Sequence, residues 1–206
     1  MLTAKQFSQS EWKLACEQIT GNQLSNGAWE RLERAEIACI CWDKTWEDDV
    51  AAWAWMGWDT DTFYVFLQAR ETPIVVKETK RNGEVYKDSC LECFFMPPNL
   101  DGYYNLEINA AGVIHLAFGA GRHGRVFPEV DVPVVVGQSG ENWMVAAAIP
   151  TALWQGGLQV GDIWRGNFQK CCEAKKPSHH LTWNVIGTPK PDFHQPDYFG
   201  EWVLGE

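Results

Sequence analysis

The sequence predicts an all-β domain: an antiparallel β-sandwich, immunoglobulin-like or jelly-roll-like, with a short helical arm at the N-terminus. Three observations carry that expectation. Short runs rich in Val, Ile, Phe, Tyr and Trp recur at regular spacing from residue 37 onward. Polar, Gly- or Pro-bearing turns separate them, and alternation inside the runs sends neighbouring side chains to opposite faces. Residues 1–34 alone break the pattern, because Trp12, Ala15, Cys16 and Ile19 recur at helical spacing before Gly21-Asn22 ends the run.

In order along the chain, residues 37–42 form a compact apolar run, and residues 50–58 carry Trp53 and Trp55 on one face of a strand. Trp58-Asp59-Thr60-Asp61 is a turn, so residues 62–69 complete a hairpin. Strands follow at 91–96, 103–109 and 113–118, broken by Pro97-Pro98-Asn99 and Ala111-Gly112. Residues 132–136 and 142–149 pair around Gly137 to Gly140, residues 150–154 make a helical turn, and strands at 162–171, 181–185 and 202–204 finish the chain. About ten short strands at this spacing read as a sandwich. No repeat or linker interrupts them, so the expected division is an N-terminal arm, 1–34, packed on one domain, 35–206.

Composition narrows the partners. The 206 residues are 46% hydrophobic and 21% charged, an ordinary globular balance. A net charge of −10 argues against nucleic acid and against an anionic membrane surface. A neutral ligand is compatible with it. Twelve Trp is a high count, and some should sit half-exposed, since each buried indole N–H needs a partner. Residues 1–10 hold no apolar run of signal length, the uncharged stretch 132–140 is too short to span a bilayer, and seven Cys follow no regular spacing. Reduced thiols in a cytoplasmic protein are the expectation.

Four segments carry chemistry-bearing residues. In Tyr86-Lys-Asp-Ser-Cys-Leu-Glu-Cys-Phe-Phe95, Glu92 points away from the Leu91 face. Asn105, Glu107 and Asn109 share one face of 103–109, and Arg165, Asn167 and Gln169 share one face of 162–171. Last comes the proline-bounded loop from Pro191 through Asp192, Phe193 and His194 to Gly200.

In order and spacing, Tyr86, Asp88 and Glu92, then Asn109-Ala-Ala-Gly112, Asn167 to Gln169, Asp192-Phe193-His194 and Phe199-Gly200 resemble the family 9 carbohydrate-binding modules, over roughly residues 37–204. The resemblance implies a β-sandwich that holds a mono- or oligosaccharide between two aromatic rings, here Tyr86 and Phe193, and carries out no chemistry. It places Glu92, Asn109 and Gln169 as hydrogen-bonding residues, and it implies structural calcium in some members. Where some members carry an arginine this chain has Glu107, and Arg122 or Arg125 stands as its replacement. Acidic turns at Asp48-Asp49 and Asp59-Thr60-Asp61 are the candidate calcium ligands.

Other readings compete. Cys171, Cys172, His179 and His180 are soft zinc ligands, although adjacent Cys on a strand point to opposite faces. Glu92 and Glu107 across neighbouring strands would suit glycoside hydrolysis. Met96 and His115 would be the haem ligands of a related sandwich. Trp42, Trp46, Trp53 and Trp55 together would make a protein-interaction face or a homodimer contact without sugar affinity.

Overall fold

The computed structural model describes every residue except Asp43, Thr45, Glu47, Asp48 and Gln155. Its elements are β1 (Leu2–Gln6), α1 (Gln9–Thr20), β2 (Arg34–Glu36), β3 (Ala51–Trp58), β4 (Thr62–Arg70), β5 (Cys90–Met96), β6 (Tyr103–Asn109), β7 (Ile114–Gly119), β8 (Val134–Ser139), β9 (Asn142–Pro150), β10 (Ile163–Cys172), β11 (His179–Thr182) and β12 (Gly200–Leu204). Helix α1 starts on a capping box, in which Ser8 takes the Glu11 N–H and the Glu11 carboxylate takes the Ser8 N–H. The expected run at 37–42 makes no strand of its own; the edge of β3 goes to Arg34–Glu36 instead, and within 37–42 Cys39 alone bridges to Thr182.

The two-sheet antiparallel sandwich is corrected to a single mixed sheet that curls on itself. Strand order runs β7-β6-β5-β10-β12-β1-β3-β4-β9-β8, with β11 beside β10 and β2 beside β3. The join is β1. Its residues Leu2 to Ala4 pair parallel with Trp202 to Leu204 of β12, and Lys5 and Gln6 pair parallel with Gly57 and Trp58 of β3. Two antiparallel halves that a sandwich would keep apart are thereby hydrogen-bonded into one. A five-residue strand with three polar members and no partner adjacent in the chain carries no turn signal, so its pattern reads as part of an arm.

The halves face each other across the main core. Phe63 of β4 stacks parallel to Trp202 of β12 at 6.2 Å, and Phe95 of β5 stacks on Trp164 of β10 at 6.0 Å. A second cluster lies on the outer face of β3, β4 and β9, where Trp12 stacks on Tyr64 at 5.3 Å and Trp29 on Phe66 at 5.9 Å. Trp53 and Trp55 do share a face, and it is this one, covered by the N-terminal segment. Trp46 belongs to the main core instead. The four tryptophans of the protein-interaction reading therefore form no common surface.

Between the halves lies a fully buried ion pair. Lys170 Nζ sits 2.8 Å from Glu71 Oε1 and 3.0 Å from His179 Nε2, and Trp143 Nε1 donates to Glu71 Oε1 at 3.0 Å. Burial, then the Lys170 charge, holds the His179 pKa down to about 2, so the imidazole is neutral and accepts from the ammonium.

Two outcomes are expected. Replacing Glu71 by Ala strands the Lys170 ammonium in the core and should cost about 3–5 kcal/mol in urea denaturation, while the double change Glu71→Leu, Lys170→Met should cost less than the single one. Deleting residues 1–6 leaves the edges of β12 and β3 unpaired, so the denaturation midpoint should fall and light scattering should report association through the open edges.

Candidate functional site

Each strand of the half-sheet β7-β6-β5-β10 turns one face to the core and the other away from it. On the outward face the register sets polar residues directly opposite one another: Thr182 beside Gln169, Gln169 beside Glu92, Glu92 beside Glu107, and Glu107 beside His115. The neighbouring rung holds Asn167, Phe94, Asn105 and Ala117. A strand pattern of alternating character put these side chains outward, and three segments wall them in: the turn at 85–87, the loop at 119–127 and the loop at 191–195. The result is a cleft of about 390 Å³ lined by Tyr86, Glu92, Phe94, Glu107, Cys171 and Phe193, among others.

The floor is buried and only partly hydrogen-bonded. Glu92 is 2% exposed and Glu107 5%. Cys171 Sγ donates to Glu92 Oε1 at 3.2 Å, and Asn105 Nδ2 donates to Glu107 Oε1 at 2.8 Å. Among the described residues, Glu107 Oε2, Asn105 Oδ1 and both amide atoms of Gln169 have no partner. Burial raises the pKa of both glutamates; for Glu92 the facing Cys171 and Glu107 push it further up.

Tyr86 and Phe193 are half-buried and pack against the same small cluster of Val85, Cys90 and Cys171. Tyr86 is steadied by its hydroxyl, which donates to Glu84 Oε1 at 2.9 Å. Phe193 leans on Trp42 at 5.9 Å and on His180 at 5.9 Å, in a loop that Asp192 organises by accepting from the His194 N–H. His194 pins that loop to the sheet: its Nδ1 lies 2.8 Å from the Tyr103 hydroxyl and its ring 4.9 Å from Phe94.

The other residues singled out by the sequence fall as follows. Arg122 stands at the mouth, where its guanidinium meets Asp192 Oδ1 at 3.2 Å and ties the two loops together. Arg125 lines the cleft, but its guanidinium is committed to the carbonyls of Gly121 and Tyr103, at 2.7 and 2.8 Å, and to the Tyr103 ring. Asn109 lies outside the cleft. Its amide donates to Glu78 O and Asp88 Oδ2, and its oxygen takes the N–H groups of Ala111 and Val113, so it holds the β6–β7 turn. Gln169 is fully buried on the cleft side of β10, beside Glu92 and beneath the lining residues.

The rival sets separate. Cys171 with His180 and Cys172 with His179 occupy opposite faces, as their alternation requires. Met96 lies four residues along β5 from Glu92, about 13 Å, so it and His115 cannot share one haem iron. Glu92 and Glu107 do stand opposite each other. Asp48 lies outside the described residues; Asp49 holds Arg70 at 2.6 Å, and Asp59 takes the Tyr64 hydroxyl at 2.7 Å and the Asp61 N–H at 3.0 Å. These described carboxylates stand on separate turns, each with a partner inside the protein. Phe94, His180 and Asp192 belong to the site without having been singled out as ligand-binding residues. Phe94 alternates with Glu92, and that signal lay in the sequence; His180 reaches the cleft through the pairing of β11 with β10 and Asp192 through the conformation of its loop, neither of which a local pattern encodes.

A cleft of this size, with aromatic rings over a floor of carboxyl and amide groups, defines a small-molecule binding module. The comparisons narrow the class: the profile described as carbohydrate-binding family 9 matches residues 27–204, and the chain belongs to that family. Its fold is similar to that of a putative carbohydrate-binding protein from Bacteroides uniformis, with a TM-score of 0.80, 25% identity and 98% of each chain covered. It is also similar to a family 9 module from Caldicellulosiruptor kristjanssonii in complex with glucose, at a TM-score of 0.66 and 13% identity, covering 100% of this chain and 96% of that one. The cellotriose complex of a module from the same organism aligns at a TM-score of 0.66 and 13% identity, over 99% of this chain and 93% of that one. No curated protein matches.

The loop anchor has a pH consequence. Burial, then the charges of Arg125 and Arg122, lower the His194 pKa from 6.5 to about 4. The unfolded chain takes up that proton first, so the stabilisation is present above pH 6.5 and is lost as pH falls towards 4. Glu92 and Glu107, with raised pKa values, act in the opposite sense. The difference between wild type and His194→Gln isolates the histidine: in thermal melts that difference should shrink steadily from pH 7 to pH 4.

Proposed function

We propose that this chain binds a neutral mono- or oligosaccharide in the cleft and does not cleave it. One observation carries the reading: two half-exposed aromatic rings stand over a buried floor whose carboxyl and amide groups have unpartnered atoms. Sugar rings present apolar C–H faces and a rim of hydroxyls, and the cleft offers a complement to each. Tyr86 and Phe193 supply the stacking platforms. Glu92, with Gln169 and Glu107 beside it, supplies hydrogen-bonding groups, and a carboxyl group that burial keeps protonated can both donate to and accept from a sugar hydroxyl. A relative's complexes with glucose and cellotriose make glucose and short glucans the first ligands to try.

Glu107 sets this site apart from members that carry an arginine there. Arg122 lines the cleft at its rim, where one of its nitrogens pairs with Asp192. Binding through small rings and a doubly carboxylic floor should be weak, around millimolar or about −4 kcal/mol. Seven free thiols accord with a cytoplasmic setting, which we likewise propose. Among the described residues, none of the most exposed large apolar side chains is a Trp.

The test is isothermal titration with glucose, xylose and their oligomers, alongside thermal melts. A saturable millimolar isotherm and a rise in melting temperature with ligand concentration are expected, without release of reducing sugar from the oligomers. Tyr86→Ala and Phe193→Ala should each weaken binding at least about five-fold, near 1 kcal/mol, with the unliganded melting temperature little changed. Unaltered affinity in both variants would remove the two rings from the site, and absence of any response at tens of millimolar sugar would leave the fold without the function.

A further inference from the structure

Cys90 and Cys171 stand directly opposite each other on β5 and β10. The two sulfurs and a carboxylate oxygen of Glu92 all lie within 4.8 Å of one another, and all three residues are buried. Glu92 Oε1 is already 3.2 Å from Cys171 Sγ. A tetrahedral ion with sulfur bonds near 2.3 Å and oxygen bonds near 2.0–2.2 Å keeps its donors roughly 3.5–3.8 Å apart, so small side-chain adjustments bring this triad to that spacing.

A second observation points to a ligand at the same place. Gln169, the cross-strand neighbour of Glu92, is fully buried and has no partner for either amide atom among the described residues. Glu107 Oε2, on the other side of Glu92, is also unpartnered. Buried polar atoms are almost always satisfied, so a carboxylate flanked by such groups is one for which a bound species completes the set. Cys171 and Glu92 line the cleft, which provides an entry path.

We propose that Cys90, Glu92 and Cys171 form a site for one soft divalent cation of the zinc class, with its fourth coordination position open to the cleft. Two sulfur donors select a soft ion over calcium or magnesium, which prefer all-oxygen sets. His180, opposite Cys171 across β10 and β11, lines the same cleft beside that open position. Binding exchanges the two S–H protons for two metal–sulfur bonds and releases the protons to solvent, so affinity rises with pH. The site shares Glu92 with the proposed sugar contacts, and its test contains no sugar, so the two readings can fail separately.

Titrating the protein with cadmium under a phosphine reductant reads the sulfur-to-metal charge-transfer band directly. One equivalent should saturate it. The band should be lost in Cys90→Ser and Cys171→Ser, fall at least ten-fold in apparent affinity in Glu92→Gln, and persist in Cys172→Ser, whose sulfur lies on the opposite strand face. Should the serine variants fail to fold, the wild type still decides the matter: equimolar zinc should slow maleimide alkylation of Cys171, mapped by peptide mass, at least ten-fold, and a chelator should restore it. An intact band in the folded Cys90→Ser, Cys171→Ser double variant, or alkylation of Cys171 indifferent to zinc, would overturn the proposal.

Discussion

Register across β10, β5, β6 and β7 is the constraint on which the rest of this molecule depends. Because side chains alternate along a strand, a slip of one residue would send Gln169, Glu92 and Glu107 into the core and bring Phe168, Cys93 and Leu106 out. The apolar face fixes the register, and the outward face inherits it. Polar groups that could not have been buried one by one are therefore buried as a row, with loops as their roof. Their hydrogen-bond demand is left incompletely met by the protein itself, and that residue of demand is what makes the cleft a place for a ligand.

The curl of the sheet follows from β1. By pairing in parallel with β12 on one side and β3 on the other, it joins two antiparallel halves and brings their apolar faces together. The buried Lys170–Glu71 pair sits in the space this creates, on the face of β10 opposite the cleft. Lys170 and Gln169 are neighbours in sequence, so one strand carries a structural charge on one side and part of the ligand floor on the other. The neutrality of His179 lets Lys170 keep a third acceptor, beside Glu71 and the Cys171 carbonyl, without adding a second positive charge.

The walls of the cleft are held by interactions of a different kind. Asp192 serves the backbone of its own loop and the guanidinium of Arg122 at once, and His194 bonds to Tyr103 from the same loop. Arg125 anchors the opposite wall through backbone carbonyls. These contacts position Phe193 without touching the floor. The rings and the polar row are thus supported separately, so a change at the rim can alter ring placement while leaving the carboxyl groups where they are.

By itself the sequence determined most of the strands, a helical run that stops at Gly21-Asn22, and which residues share a face, because these periods are local; the run at 37–42 is the exception, and Leu2–Gln6 and Arg34–Glu36 gave no such signal. Strands at β3 to β7, at β9 and at β10 lie within a residue or two of where alternation places them. From the same alternation Glu92 and Gln169 belong to the outward face, and the ordered motifs around Tyr86, Glu92 and Phe193 carried the family resemblance. Only the tertiary structure decided that Asn109 serves a turn, that Arg125 is committed to carbonyls, and that Leu2–Gln6 is the strand joining two halves into one sheet. Those outcomes rest on contacts between residues far apart in the chain, whose pairing is set by packing and closure and leaves no period or turn signal in the sequence near either partner.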